Sequence, residues 1–456
     1  MSGAFPPDIF AGARFAVLGL GRNGAAAAAA LAALGAEVLA WDDDPARRAA
    51  IAHPVDPAAW GRIDALVLSP GIPHRLPAPH PVAARAVAAG VPVLSDAELL
   101  FRAARRSGAA ARFVGITGTN GKSTTTALLA HILAEAGFAV AAGGNLGPAA
   151  LALPRLPAGG VYVLEMSSYM LERLETMRFD AAAMLNLSPD HLDRHGDMAG
   201  YAAAKRLVFA RQAACDLAVI GIDDAPSRAM AATLAAGPAR RITVSGQDAA
   251  ADVAPIGGVL GDAAGPILDL AAAPALPGAH NAQNAAAAAA IALALGADRA
   301  AVARGITSFP GLPHRQREVA RIGGVRFIDD SKATNADAAA RALGCYDRLV
   351  WIAGGQGKAG GIAALAPFFP RIAGAVLIGR DAPDFAATLA EAGIPHRIAG
   401  TLDAAVPEAL ATARRTGALV VLLSPAAASF DQFSGFEARG ARFAALARAL
   451  PDAEAA

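Results

Sequence analysis

Residues 112–126 read RFVGITGTNGKSTTT: an apolar run, then Gly118, Thr119, Asn120 and Gly121, then Lys122, Ser123 and Thr124, then helix-like sequence through Leu128, Leu129 and Ile132. A strand feeding a glycine-rich turn that opens a helix can cradle phosphate. Backbone N–H groups converge at the helix start, the helix dipole adds to them, and a lysine offsets charge on the terminal phosphates. Ser123 or Thr124 is then the expected Mg²⁺ ligand. Gly115 stands one residue too far from Gly121 for the G-x-x-x-x-G-K-[ST] spacing, so this loop is a variant of it. A plain turn before a helix is the bland alternative, but strand before and helix after both favour phosphate.

Other chemistry-bearing residues fall at predicted strand ends. VYVLE places Glu165 at the C-terminal edge of a sheet, where open α/β sheets bind ligands and a carboxylate can hold Mg²⁺; a helix N-terminal acid is the alternative. DHLDRH gathers Asp190, His191, Asp193 and His195, and titratable groups gathered in a cleft favour a functional His191 over a structural one. Lys205, in GYAAAKRLVFARQ, reads from its neighbours as an ordinary solvated helix lysine. Asn281 and Asn284 share a face at i, i+3 of a helix near 278–295, able either to read an adenine edge or to cap the helix.

The elements that must position these residues alternate strand and helix. RFAVLG, the turn GLGRNG, an alanine-rich helix and AEVLAWDD form a Rossmann-like opening, with Gly21, Arg22 and Asn23 in the turn and Asp42 about twenty residues on. That pattern alone is divided between a dinucleotide, another nucleotide and mere helix–sheet packing. ALVLSPG brings Ser69 and Gly71 to a further strand end, and Ser95 is a candidate helix cap. A polar stretch at 104–112 and the prolines of 306–316 mark boundaries, giving domains 1–107, 108–311 and 312–456. After Gly221 the sequence loosens into a glycine-rich, partly antiparallel region. The last segment repeats the alternation through VRFIDD, LVWIAGG, AVLIGR, HRIAG and LVVLLS, with Asp330, Lys332, Lys358 and Ser429 at strand ends.

Composition narrows the partners. Lys plus Arg number 40 against 39 Asp plus Glu, with no block of like charge, which disfavours nucleic acid and anionic membranes. The 55% apolar content is largely alanine, and no run approaches the roughly 20 residues of a membrane span. MSGAFPPDIF lacks a signal-peptide pattern, and the two cysteines, Cys215 and Cys345, form no C-x-x-C pair; both observations fit a cytoplasmic protein.

TGTNGKST, GGNLG, EMSSYMLE, NLSPDHLDRH, GAHNAQN, GLPHRQ, DDSKATN and LLSPAAASFDQFSGFEARG, in this order across the whole chain, resemble the ATP-dependent muramyl ligases of peptidoglycan assembly. DSKATN and SPAAASFDQF resemble the glutamate-adding member in particular. The resemblance implies three α/β domains: an N-terminal Rossmann-like UDP-binding domain, a central P-loop-type ATP-binding domain and a C-terminal Rossmann-like domain. It implies ligation of glutamate, expected as D-glutamate, to UDP-N-acetylmuramoyl-L-alanine through an acyl phosphate. ATP and two Mg²⁺ ions, or Mn²⁺ in their place, would be needed, and the chain would act as a monomer.

Residue by residue, the resemblance assigns Gly118 to Thr124, Asn281, Asn284, His314, Arg315 and Asp330 to ATP. Ser123, Glu165, His191 and a carbamylated Lys205 would hold metal. Gly21, Arg22, Asn23, Asp42, Ser69, Gly71, Asn145 and His191 would hold the UDP substrate, and Lys332, Thr334, Lys358, Ser429 and Phe436 the glutamate. Lys122, His191, Lys205 and Lys332 would be catalytic. Asp43 and Asp44 depart from relatives that carry threonine or arginine there, which bears on uracil recognition. Three rivals compete with this reading. An NAD-dependent dehydrogenase leaves the phosphate loop without a role, a non-catalytic nucleotide switch leaves residues 330–335 unexplained, and a folylpolyglutamate synthase has no use for a UDP-binding domain or SFDQF.

Overall fold

The computed structural model describes residues 3–51, 53–145, 147–357 and 360–455. Three sheets are built in chain order. The first comprises β1 (Arg14–Leu18), β2 (Glu37–Trp41), β3 (Ala65–Leu68) and β4 (Val93–Leu94), all parallel in the order β2-β1-β3-β4. β1 and β3 bury nearly every residue, as strands covered on both faces must. The strand order reverses beside β1, so the turns after β1 and β3 open into one crevice.

The second sheet has nine strands in the order β13-β12-β11-β10-β9-β8-β5-β7-β6. They are β5 (Arg112–Thr117), β6 (Val140–Gly144), β7 (Val161–Glu165), β8 (Ala181–Met184), β9 (Leu217–Gly221), β10 (Arg240–Val244), β11 (Val253–Ile256), β12 (Val259–Asp262) and β13 (Gly265–Asp269). β6 through β11 pair in parallel, and β11, β12 and β13 form an antiparallel meander, as the loosened sequence predicted. The chain leaves β5, passes beyond β7 to β6, and later returns to β8 on the other side of β5. The reversal therefore places the ends of β5, β7 and β8 around one crevice. The helix Ala279–Ala294 is buried along most of its length, its alanine side chains small enough to admit close neighbours.

The third sheet, in the order β18-β17-β16-β19-β15-β14-β20, comprises β14 (Arg317–Ile322), β15 (Val325–Asp329), β16 (Leu349–Gly354), β17 (Ile372–Ile378), β18 (His396–Gly400), β19 (Val420–Leu423) and β20 (Ala453–Ala455). β14 and β20 are antiparallel additions that the sequence reading did not contain; the other five strands are those it predicted. The chain divides into two compact units, Met1–Ala273 with Asn281–Phe309, and Pro274–His280 with Pro310–Ala456. Among the described residues no helix is long and apolar enough to cross a membrane.

Within the first unit one buried cluster runs unbroken from Phe15, Val17 and Leu31 beside the first sheet to Phe113, Tyr162 and Phe179 in the second. The helix Asp96–Arg106 adds a polar joint. Ser95 caps it through the Glu98 N–H. Fully buried Glu98 accepts from the Glu175, Thr176 and Met177 N–H groups and from the Thr176 hydroxyl at 2.6 Å. Asp96 accepts from the Ala150 N–H at 2.7 Å, yet burial pushes its carboxyl up to about 6. A pKa raised by folding adds stability that is whole below about pH 4 and is lost as pH rises through about 6. Asp96→Asn is therefore expected to narrow the difference in urea midpoint between about pH 5 and about pH 8. Equal differences in variant and parent would refute this role for Asp96.

Candidate active site

β5 ends at Thr117, and Gly118 (φ 146°) and Gly121 (φ 85°) turn the chain into the helix Lys122–Glu135. Only glycine accepts these conformations without strain. A Cβ on Gly121 would also collide with the Asn284 side-chain oxygen. The loop is fixed from beneath by β8's exit. Thr119 N–H donates to the Asn186 carbonyl at 2.9 Å, and Asn120 N–H to the Asn186 side chain at 2.9 Å. Lys122 Nζ lies back over the loop, donating to the Gly118 and Thr119 carbonyls at 3.0 and 2.8 Å. Ser123 is buried in the first turn.

Three further groups meet this loop. Glu165, at the end of β7, accepts from Asn145 Nδ2 at 3.0 Å through one oxygen, while its other oxygen is buried with no hydrogen-bond partner among the described residues. Lys205 is 2% exposed, its Nζ donating to the Gly118 carbonyl at 2.8 Å. Burial, with Lys122 nearby, holds its amine well below the usual lysine range. This overturns the solvated-lysine reading, because the helix Met198–Arg206 faces the sheet edge rather than water at that position. His191 adopts φ 53° and its ring lies 5.2 Å from that of Tyr169; burial lowers its pKa, Asp190 opposes, and Lys205 and Lys122 add to the lowering. Among the described residues no three His, Cys, Asp or Glu side chains form a ready-made metal cluster.

Asn281 and Asn284 are both buried, Asn284 Nδ2 donating to Asn281 Oδ1 at 3.0 Å, and the Asn284 oxygen faces Gly121. Gly121→Ala is expected to raise the KM for ATP at least about tenfold, because the new methyl must displace Asn284 from the loop. A KM within about twofold of the parent would separate Asn284 from the nucleotide.

Gly21, Arg22, Asn23, Asp42, Ser69, Gly71 and Asn145 line one cavity of about 780 Å³ at the ends of β1 and β3. Ser69 Oγ donates to the Gly19 carbonyl at 2.8 Å, and a side chain on Gly19 would strike Ser69, so the two turns pack against each other. Asp42 is largely committed to the protein. Burial raises its pKa, but hydrogen bonds from the Leu20 and Asp44 N–H groups, and then Arg47, prevail and lower it. Asp43 pairs with His80 at 2.8 Å. His191 does not line this cavity; it stands with the phosphate loop. Asn145 touches both, lining the cavity while donating to Glu165.

The second unit gathers its own set. His314 (φ 62°) shares a 2.7 Å hydrogen bond with Asp329, which raises the imidazole pKa, and its ring meets Phe436 edge-on at 6.1 Å. Burial pushes Asp330 up to about 7, although Ser424 Oγ donates to it at 2.8 Å and Arg315 lies near. Lys332 Nζ sits 3.8 Å from the Phe436 ring centroid, and Lys332 N–H donates to the His314 carbonyl at 3.1 Å. Thr334 N–H donates to the Lys332 carbonyl, and buried Ser429 accepts from Gln432 and Phe433 N–H groups through its own carbonyl. Lys358 lies outside the described residues. Sequence reasoning missed Arg439, which is buried and joins the Ser331 and Ala427 backbones, and Asn186 beneath the phosphate loop. Both stand inside recognisable segments, FEARG and NLSPDH, but only packing reveals what they hold.

Residues 116–292 match the Mur ligase middle domain. The UDP-N-acetylmuramoylalanine--D-glutamate ligase of Paramagnetospirillum magneticum is 49% identical over 454 residues, covering 98% of each chain. That of Rhodospirillum rubrum is 47% identical over 475 residues, covering 100% of this chain and 98% of its own. Among solved structures, the UDP-N-acetylmuramate-alanine ligase MurC of Thermotoga maritima has a TM-score of 0.58 at 17% identity, covering 94% of this chain and 98% of its own. The Mycobacterium tuberculosis folylpolyglutamate synthase has a TM-score of 0.55 at 18% identity, covering 77% and 95%. At such identities the last two speak for a shared fold alone, whereas the near half-identity over full length places this chain in the UDP-N-acetylmuramoylalanine--D-glutamate ligase family.

Proposed function

We propose that the chain ligates D-glutamate to UDP-N-acetylmuramoyl-L-alanine with hydrolysis of ATP to ADP and phosphate, a step of peptidoglycan precursor synthesis. The observation that carries the reading is the convergence on one sheet edge of the glycine loop, Lys122, the half-satisfied Glu165 and buried Lys205. The near half-identity to curated ligases of that name supports the substrates. We assign the sugar nucleotide to domain 1–107, ATP to domain 108–311 and glutamate to domain 312–456.

A carboxylate does not accept an amine directly, because oxide would have to leave. The γ-phosphoryl group of ATP therefore passes to the alanyl carboxylate, giving an acyl phosphate. The glutamate amine attacks its carbonyl carbon, and phosphate leaves as the C–N bond forms. Lys122 offsets negative charge on the phosphoryl group being transferred, and the loop N–H groups hold the rest of the triphosphate. Asn281 and Asn284 take the nucleoside side, and the family resemblance assigns His314, Arg315 and Asp330 to ATP as well. Lys332, Thr334, Lys358, Ser429 and Phe436 receive glutamate, whose two carboxylates call for cations and N–H donors.

The residues present fit a divalent cation. Glu165 keeps a buried oxygen without a hydrogen-bond partner among the described residues, Ser123 offers a hydroxyl in the first turn after the nucleotide loop, and His191, its pKa lowered by burial, offers an imidazole nitrogen. Mg²⁺ there would neutralise phosphate charge and orient the transferred group. Lys205 extends the donor set. Its burial favours the free amine, the form that adds to CO₂ with loss of a proton to give a carbamate, and a carbamate is an oxygen ligand where an ammonium is none. Two ions, with Mn²⁺ able to replace Mg²⁺, and a monomeric cytoplasmic enzyme complete the reading. The test is ADP release that requires both UDP-N-acetylmuramoyl-L-alanine and D-glutamate. Release with either alone, or with folate in place of the sugar nucleotide, would overturn it.

A further inference from the structure

We propose that Arg173 is a positioning residue for the sugar-nucleotide pocket, acting from the neighbouring sheet. The proposal rests on the reading of the 780 Å³ cavity given above. Arg173 follows the short helix Ser168–Leu171 of the central sheet's surroundings and is 2% exposed. Its Nη1 donates to the Leu68 carbonyl at 2.8 Å and the Ser69 carbonyl at 3.0 Å, and its Nη2 to the Ile72 carbonyl at 2.6 Å. Its Nε donates to His74 Nδ1 at 3.4 Å. The fork therefore grips the turn after β3 at both ends, and Ser69, Pro70, Gly71 and Ile72 of that turn line the cavity.

Three features go beyond what holding two lobes together requires. Glu98 already ties residues 175–177 to the first lobe, so the joint does not depend on this arginine. Arg173's own carbonyl accepts from the Ser95 N–H at 3.1 Å, which fixes the base of the side chain and so the place where its fork ends. Finally, the guanidinium donates to carbonyls and an imidazole nitrogen and, among the described residues, makes no salt bridge to a carboxylate. Burial, with Arg194 nearby and Glu172 opposing, lowers its pKa to about 9, so the arrangement keeps a costly positive charge directly under a turn assigned to an anionic substrate. Only a planar fork reaches three carbonyls at once; a lysine ammonium carries the charge without that geometry.

Steady-state kinetics of the full-length enzyme test this. Arg173→Met is expected to raise the KM for UDP-N-acetylmuramoyl-L-alanine about tenfold, and Arg173→Lys about threefold, with kcat and the KM values for ATP and glutamate within about twofold. An unchanged sugar-nucleotide KM in Arg173→Met, or a parallel rise in all three KM values, overturns the proposal. If the methionine variant does not fold, Arg173→Lys decides by the same criterion. Arg22→Ala, on the cavity wall, separates the two layers of the argument. If it raises that KM while the Arg173 variants do not, positioning fails and the pocket stands; if none of them moves it, the pocket assignment itself fails.

Discussion

Lys122→Ala is expected to lower kcat/KM for ATP by about 10³-fold or more, roughly 4 kcal/mol of lost transition-state stabilisation. The lysine stands in the phosphate loop itself, its Nζ donating to the Gly118 and Thr119 carbonyls. Two hydrogen bonds at a half-buried site contribute about 1 to 2 kcal/mol to stability, so the melting temperature should fall by only a few degrees. ADP release and a thermal melt on the same preparation check both halves. Near-parental ligation by a folded Lys122→Ala protein would remove the lysine from the chemistry.

Lys205→Ala should be comparably severe for activity and opposite in sign for stability. Activity falls by about 10³-fold or more if the residue supplies a metal ligand. Stability holds or rises, because the substitution takes away a 2% exposed amine whose charging is opposed by burial and by Lys122. A merely structural lysine predicts the reverse pairing, with a lower melting temperature and largely intact turnover. Circular dichroism melts beside initial rates distinguish the two, and that reverse pairing would end the carbamate reading.

How much of this was legible beforehand depended on what each residue's neighbours in sequence encode. The phosphate loop was readable because its chemistry is local: glycines, a lysine and hydroxyls within one turn, with a strand before and a helix after. Glu165 was readable because an apolar run ending in an acid marks a sheet edge. Lys205 was not, since a lysine among alanines on a helix looks solvated, and only the fold brings its Nζ to the Gly118 carbonyl just past β5 and buries it; the family resemblance, not the local pattern, singled it out. The alanine-rich segment 278–295 was readable as a helix, but its asparagines were left between two roles, because burial along nearly its whole length is a property of the packing around it. β14 and β20 escaped notice for a related reason. REVARI opens with two charged and then two apolar residues and so lacks the strict alternation of a half-buried strand, and Ala453–Ala455 is too short to carry any periodic signal.

Glu98 and Asp96 give the first two sheets a bond that does not run through the polypeptide connecting them. The covalent link between those sheets, around Gly108, is brief and lies at the surface, while the polar and apolar seam beside it is internal. A chain severed there by protease should consequently elute as a single nicked species, its two fragments parting only in denaturant.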